Sequence, residues 1–163
     1  MQQKTNQDIL TDFLLEHRES YYRIAYSYVR NQEDALDIVQ ESICKALTGS
    51  NKINNTSAIK SWFYRIVVNT SIDYIKKNKK YVYVEDEELE IIGPTKWDHY
   101  EDYDLLAALD QLPTKHKTVV TLHYFEDMTF EDIAKVLNEN VNTIKSRFYS
   151  SLKKLRLELE DRK

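Results

Sequence analysis

TFEDIAKVLNENVNTIKSRFYSSLKKLR, residues 129–156, is the stretch that decides the fold of this chain. Phe130, Ile133, Ala134 and Leu137 recur at the spacing of one helical face, and Thr129 can cap that helix with its hydroxyl. The polar run 138–142 follows, in which an Asn can adopt the left-handed conformation that closes a helix. A second helix then begins. The pattern predicts a helix-turn-helix, a motif whose second helix usually enters the major groove of DNA.

The second helix of this motif has an apolar stripe and a basic face. The stripe consists of Ile144, Phe148, Leu152, Leu155 and Leu159. Residues 141–157 contain five Lys or Arg and no Asp or Glu, which is the charge balance that contact with phosphates requires. An ordinary amphipathic helix with a solvated basic face is the alternative interpretation.

Composition indicates an all-α protein. Its 163 residues include only two Gly and two Pro, and the apolar residues recur at helical rather than alternating spacing. The single Cys44 excludes an internal disulfide and a Cys-based zinc site, as expected in a reducing cytosol. No apolar run approaches a membrane span, and the amino terminus lacks the pattern of a signal peptide. We therefore expect a cytoplasmic protein that is not inserted in a membrane.

Charge is distributed unevenly along the chain. Residues 1–81 carry 12 basic and 9 acidic side chains, residues 82–110 carry 1 and 10, and residues 111–163 carry 10 and 8. The overall charge of −4 therefore arises in the middle, and both ends are mildly basic. We predict two small helical domains, 1–81 and 104–163, joined by an acidic linker over 82–103.

Two helices are predicted near the amino terminus. The apolar rhythm from Asp8 to Arg30 predicts one long helix, with His17 as a core histidine rather than a ligand. A second helix, from Glu33 to Leu47, gathers acidic side chains on one face. These are Asp34, Asp37 and Glu41, beside Gln40. A solvated acidic face is the plain interpretation, a binding surface is the second, and a carboxylate pair for acid-base chemistry is the third.

A polar loop and a basic helix follow. The loop 48–57 is the kind of segment in which function tends to lie. From Ser57 to Tyr81 there are six basic residues against Asp73 alone, interleaved with aromatic residues and Asn. This combination suits a surface that follows a phosphate backbone and contacts unpaired bases. A buried helix with a solubilising basic tail is the alternative.

The remaining elements complete the predicted carboxy-terminal domain. A helix is expected from Asp104 to Leu112, and Pro113 and Thr114 open the next helix, which leads through 116–126 into the helix-turn-helix. No nucleophile with a partner base, no metal-ligand spacing and no phosphate-cradling Gly loop is present. We therefore predict neither catalysis nor a metal or other cofactor.

With both halves in view, the chain resembles the extracytoplasmic-function (ECF) sigma factors, the small promoter-specificity subunits of bacterial RNA polymerase. Asp34-Ala-Leu-Asp-Ile-Val-Gln-Glu-Ser-Ile-Cys-Lys-Ala46 is similar to their region 2.2, and Trp62-Phe-Tyr-Arg-Ile-Val-Val-Asn69 with Asp73 to regions 2.3 and 2.4. Leu112-Pro113, Thr129–Ala134, Thr143–Arg147 and Leu155-Arg156 resemble region 4. Residues 35–42 and 62–77 further resemble the SigV-type, lysozyme-responsive subgroup.

The resemblance implies three sets of site residues. The surface for the coiled-coil clamp helices of the polymerase beta-prime subunit would comprise Leu36, Asp37, Gln40 and Glu41. The minus-ten element, with its flipped base and melted strand, would meet Asn51, Asn54, Asn55, Thr56, Tyr64, Arg65, Asn69, Lys76 and Lys77. The minus-thirty-five element would meet Thr143, Lys145, Ser146, Arg147, Tyr149 and Lys153.

The resemblance also implies partners and regulation. A sigma factor binds core RNA polymerase through its beta-prime and beta subunits, together with promoter DNA, and ECF members are commonly held inactive by an anti-sigma factor, often membrane-anchored. The function implied is promoter-specific transcription initiation in a cell-envelope stress response. Independently of the resemblance, the −9 charge balance of residues 82–110 suggests the hypothesis that the acidic linker, from Glu85 to Glu90, restrains the free protein by lying across the basic domains.

The chain departs from the family pattern in the turn, with Asn138 in place of Gly, Glu139 in place of an apolar residue, and Asn142 in place of Gly. Ser150 replaces a frequent basic residue. Two other functions stay open on the residues alone. A stand-alone regulator would bind duplex operators as a dimer, and a helical protein-binding module would not bind DNA at all.

Overall fold

The computed structural model describes residues 5–53, 58–78 and 101–161, which contain eight α-helices and no β-strand. The N-terminal half holds α1 (Asn6–Glu16), α2 (Arg18–Val29), α3 (Gln32–Thr48) and α4 (Ile59–Asn78). The C-terminal half holds α5 (Glu101–Asp110), α6 (Thr114–Val120), α7 (Phe130–Leu137) and α8 (Val141–Asp161). The predicted all-α class is confirmed. None of the helices described combines the length and apolar character needed to cross a bilayer.

The single long helix predicted from Asp8 to Arg30 is wrong, because the chain bends at His17 and forms α1 and α2. His17 has φ −105° and ψ 14°, outside the helical region, although its N–H still bonds the Phe13 carbonyl. The Tyr21 hydroxyl donates to the Leu14 carbonyl at 2.7 Å and so satisfies an oxygen at the end of α1. The apolar periodicity runs through the bend unbroken, which is why the pattern alone did not show it.

The N-terminal half is organised around edge-to-face aromatic contacts. The Phe63 ring on α4 lies 5.1 Å from Tyr21 and 5.9 Å from Phe13, centre to centre. Such contacts add to the energy of burying the rings. Asn31 caps α3 by accepting from the Asp34 N–H at 3.0 Å. The Asp34 carboxylate in turn accepts a hydrogen bond from the Tyr74 hydroxyl at 2.7 Å, which ties α3 to α4.

In the C-terminal half the capping predictions are confirmed. The Thr129 hydroxyl accepts from the Asp132 N–H at 3.1 Å, and Asn138 ends α7 in the left-handed region with φ 54°. Helix α5 begins at Glu101, three residues before the expected start. The predicted helix over 116–126 is instead α6 followed by a π-helical turn, Thr121–Phe125. Most of the predicted linker, including Glu85 to Glu90, lies outside the described residues.

The two halves share one buried core. Helix α4 packs against α7, and α2 packs against α6. At the second contact the Thr114 hydroxyl donates to the Ser27 carbonyl at 2.9 Å, and both residues are buried. A cleft of about 390 Å³ remains between the halves, lined by Tyr28, Val68, Ile72, Ile75, Lys76, Lys115 and Leu137.

A buried lysine lies at the same boundary. Lys117 on α6 is 1% exposed, and its Nζ lies 2.5 Å from the Asp110 carboxylate, which also lies 3.5 Å from Arg23 on α2. Burial lowers the pKa of Lys117 to about 8, although Asp110 opposes the shift. At neutral pH the buried, charged ammonium of Lys117 therefore lowers the free energy of unfolding.

Lys117→Met tests that cost, because Met fills a similar volume without a charge. Because the pKa of Lys117 is lower in the folded state than in the unfolded state, the charged side chain destabilises the folded protein by the full amount below pH 8. This penalty disappears as the pH rises towards 10.5, the ordinary pKa of lysine. The free energy of unfolding of the native protein, relative to Lys117→Met, should thus rise by about 2 kcal/mol between pH 7 and pH 9.5. Urea unfolding at both pH values measures the change, and a difference independent of pH would contradict it.

Candidate nucleic-acid and polymerase interfaces

Helix α3 presents the predicted polymerase surface to solvent. Leu36 is 43% exposed, and Asp37, Gln40 and Glu41 are exposed beside it, one to five positions further along the helix. The opposite side of α3 is buried through Ala35, Ile38 and Val39. An exposed leucine flanked by carboxylates is a surface of mixed apolar and acidic character. Such a surface suits a partner helix that offers apolar and basic side chains.

Lys45 modifies this acidic surface at its far end. The Lys45 ammonium lies 3.5 Å from the Glu41 carboxylate and donates to the Thr70 hydroxyl on α4 at 3.1 Å. Asp34, which the sequence placed on the same face, is instead turned towards Tyr74. Asp37 stays exposed on this surface, while the Asp34 carboxylate is bound to Tyr74 of α4.

The described part of the loop after α3 is held by α1 and lies close to α4. Asn51 is exposed in a 3₁₀ turn, Ser50–Lys52, and the Asn6 amide donates to the Ile53 carbonyl at 3.0 Å. A Cβ added at Gly49 would lie 3.2 Å from the Trp62 ring, so the backbone passes close to α4. Asn54, Asn55 and Thr56 lie outside the described residues. The described end of the loop is thus anchored to both α1 and α4.

Three of the residues predicted for the minus-ten element share one side of α4. Asn69 lies one helical turn after Arg65, and Lys76 lies about three turns after Arg65. All three side chains are exposed, so they form a single stripe along α4. Lys77 is exposed on a neighbouring side near the end of the helix. Lys79 and Lys80 lie outside the described residues.

Tyr64 does not belong to this exposed stripe, and its predicted placement at the surface is corrected. The side chain is 0% exposed, with its ring 6.2 Å from those of Phe13 and Phe63 in edge-to-face contact. Burial, and after it the Glu126 carboxylate, raises the pKa of the Tyr64 hydroxyl above its ordinary value. Glu126 belongs to the C-terminal half, so helical spacing within α4 could not reveal the contact.

Helix α8 exposes five of the six residues predicted for the minus-thirty-five element. They are Thr143, Lys145, Ser146, Tyr149 and Lys153. Tyr149 is 60% exposed and touches the rings of Phe130 and Phe148 at its base. Leu152, expected on the apolar stripe, is 38% exposed. The exposed side of α8 combines two lysines with hydroxyl groups and one aromatic ring.

The sixth residue, Arg147, is buried, so its predicted place on the exposed side of α8 is corrected. It is 6% exposed and pairs with the Glu139 carboxylate in the turn. Glu139 also accepts from the Lys115 ammonium of α6 at 3.2 Å. One carboxylate thus joins α6, the turn and α8. Glu139 itself, an acid where the family usually has an apolar residue, was the sequence signal that could have identified this pair.

Comparison with known proteins agrees with this arrangement. Residues 13–81 match the model of sigma-70 region 2, and residues 103–155 match that of sigma-70, region 4. The chain is 47% identical to the RNA polymerase sigma factor SigV of Bacillus subtilis, over 96% of this chain and 94% of that protein. The chain belongs to the ECF sigma factors.

Other relatives extend the similarity within this family. The ECF RNA polymerase sigma factor SigW of Bacillus subtilis is 28% identical over 97% of this chain and 92% of its own length. Among solved structures, the sigma factor RpoE, crystallised with the anti-sigma factor NepR from Bartonella quintana, has the same fold. It gives a TM-score of 0.65 at 23% identity, covering 91% of this chain and 97% of that chain. As a sigma factor, the chain is a transcription initiation factor and not an enzyme.

The pairing of buried Arg147 with Glu139 leads to a stability prediction. Arg147→Ala removes one of the two cations that contact the partly buried Glu139, and should lower the free energy of unfolding by about 2 kcal/mol. Lys145→Ala is the matched control, since Lys145 is exposed on the same helix and should change stability by less than about 0.5 kcal/mol. Urea unfolding of both variants measures the difference. Equal stabilities would show that the buried pair does not support the fold.

Proposed function

We propose that this sigma factor uses the α3 surface to bind the clamp helices of beta-prime, α4 and the preceding loop to hold the minus-ten element, and α8 to read the minus-thirty-five element. It directs transcription initiation from promoters that contain both elements. The observation that carries the proposal is the separation of three exposed polar surfaces on three helices, in the order in which regions 2 and 4 match the chain.

The exposed side of α4 supports contact with a melted strand. Arg65 and Lys76 bring positive charge to the stripe, and Asn69 between them offers an amide that can both donate and accept hydrogen bonds. A flipped base costs a few kcal/mol in lost stacking, so groups that receive it must be held in place beforehand. The anchoring of the loop through Asn6 and Trp62 supplies such rigidity near Asn51.

Neither DNA surface needs high affinity alone. Tethering both surfaces to polymerase raises their local concentration at the promoter, so that two weak contacts act as one strong contact. The segments that carry the two DNA surfaces have only a modest positive charge, +3 for residues 1–81 and +2 for residues 111–163, as expected if neither surface binds DNA tightly alone.

We further propose that the protein acts in the cytoplasm, in a cell-envelope stress response, and that an anti-sigma factor holds it inactive. The RpoE structure was solved with its anti-sigma factor NepR, and the present fold matches it over most of both chains. A stand-alone repressor or activator remains the competing function, and it leaves the exposed Leu36 and Asp37 without a role.

Run-off transcription with purified core polymerase on a promoter library tests the proposal. Asp37→Ala should weaken core binding about tenfold, because it removes a charge from the centre of an interface. Asn69→Ala and Lys145→Ala should leave core binding unchanged and lower promoter use about fivefold to tenfold, because each removes a contact to DNA.

Glu19→Ala is the matched control for Asp37→Ala, since Glu19 is an exposed acid on α2, away from the three surfaces. It should behave as the native protein in every assay. If the native chain neither binds core polymerase nor starts transcription, yet shifts duplex DNA alone, the stand-alone regulator is the correct function.

A further inference from the structure

A carboxylate from the C-terminal half is buried in the N-terminal half. Glu126 follows the π-helical turn and is 3% exposed. Its Oε2 lies 2.6 Å from His17 Nδ1 and 4.0 Å from Lys60 Nζ, and Lys60 also donates to the Glu126 carbonyl at 2.6 Å. The Tyr64 hydroxyl is buried near the same carboxylate, and burial, with Glu126 second, raises the pKa of this hydroxyl. All three partners belong to α4 or to the bend between α1 and α2.

The burial of Glu126 depends on the other half of the chain. A carboxylate removed from water is costly unless cations and hydrogen-bond donors surround it. Here those groups come from His17, Lys60 and Tyr64 across the boundary, so they compensate the carboxylate only while the halves are packed together. When the halves separate, Glu126 returns to water and the three donors are left facing an empty position.

Separation of the halves is a geometric requirement of promoter binding. Elements at minus ten and minus thirty-five are about 25 base pairs apart, or about 85 Å at 3.4 Å per pair. A compact chain of 163 residues has a radius of gyration of about 15 Å, hence a diameter near 40 Å. Residues 79–100, between α4 and α5, can reach at most about 75 Å when extended. Both surfaces can therefore engage one promoter only if α4 leaves α7.

We propose that His17, Lys60 and Tyr64 form an anion site which the Glu126 carboxylate fills in the packed form and a backbone phosphate of promoter DNA fills in the open form. The proposal rests on the proposed function, because it takes promoter DNA as the ligand. The anion site lies on a different face of α4 from the stripe formed by Arg65, Asn69 and Lys76. Glu126 and DNA therefore compete for the same site on the N-terminal half.

The donors match the chemistry of a phosphodiester. An ammonium, an imidazole and a phenol hydroxyl can each donate to an anionic oxygen, and charge-assisted bonds of this kind are the strong ones. The Tyr64 ring remains held by Phe13 and Phe63 of its own half after separation, so only its hydroxyl becomes available. Tyr64 would thus bind DNA as a hydrogen-bond donor and not as a stacking platform.

The first measurement is the distance between the halves in the free protein. Cys44 is the only cysteine and is exposed on α3, so it accepts one spin label, and Ser150→Cys on the exposed side of α8 accepts the second. Glu126→Gln, which keeps the size and removes the charge, should shift the population towards longer distances. Glu131→Gln is the matched control, an exposed acid on α7 whose loss should leave the distances unchanged.

The second measurement is affinity for a mixed-sequence single-stranded 20-mer of DNA over a range of salt concentrations. Glu126→Gln should bind about fivefold more tightly than the native protein, because a competing charge is removed. Glu126→Gln with Lys60→Met should lose that gain, and its slope of log affinity against log salt should be smaller by about 0.7. Both variants lack the Glu126 charge, so their difference reports Lys60 as a phosphate ligand.

Three results would overturn the proposal. The site is wrong if the double variant binds DNA with the affinity and salt slope of Glu126→Gln, and the competition is wrong if Glu126→Gln leaves the label distances unchanged. If inorganic phosphate at equal ionic strength lengthens the distances as DNA does, the ligand is free phosphate. Failure of the proposed function appears separately, as absence of run-off transcription by the native chain, since neither measurement here contains polymerase.

Discussion

Burial of charge at the contact between the two halves is the constraint on which the rest of the structure depends. Glu126 meets His17 and Lys60 across this boundary, and Asp110 meets Arg23 while holding Lys117. Buried ion pairs recover much of their desolvation cost only when the geometry is kept, and they contribute little net stability. They specify one arrangement of the halves without binding them irreversibly. Such a contact is compatible with the proposed separation of the two halves on promoter DNA.

The packing of α4 against α7 points in the same direction. The cleft of about 390 Å³ beside Val68, Ile75 and Leu137 means that apolar side chains there lack some of the contacts that a closed core would give them. The contact is therefore weaker than its apolar composition implies. The α3 surface and the exposed stripes of α4 and α8 stay accessible while the halves are packed. Packing thus limits the distance between the proposed DNA surfaces and covers the site occupied by Glu126.

The sequence predicted what local chemistry determines. The Thr129 cap, the left-handed Asn138 and the apolar stripe of α7 depend on neighbours within a few residues, and all are found. Exposure of Asp37, Asn69 and Lys145 followed from the same periodicity. The bend at His17 could not be predicted from periodicity, because the apolar rhythm continues through it. The His17 imidazole contacts Glu126, a side chain far along the chain. Tyr64 was misplaced for the same reason.

Arg147 shows how a departure from a family pattern carries structural information. A basic residue in the second helix of a helix-turn-helix is normally assigned to DNA, and only the partner decides otherwise. Here the turn contains Glu139 in place of an apolar residue, and a carboxylate so close to buried helices needs a cation. Arg147, eight residues on, and Lys115 on α6 supply it. The unusual acid and the buried arginine are therefore one feature, which turns a position available for reading DNA into a support for the turn. Lys145, Ser146 and Tyr149 stay exposed on α8, and they form a shorter and less basic set than the sequence alone indicated.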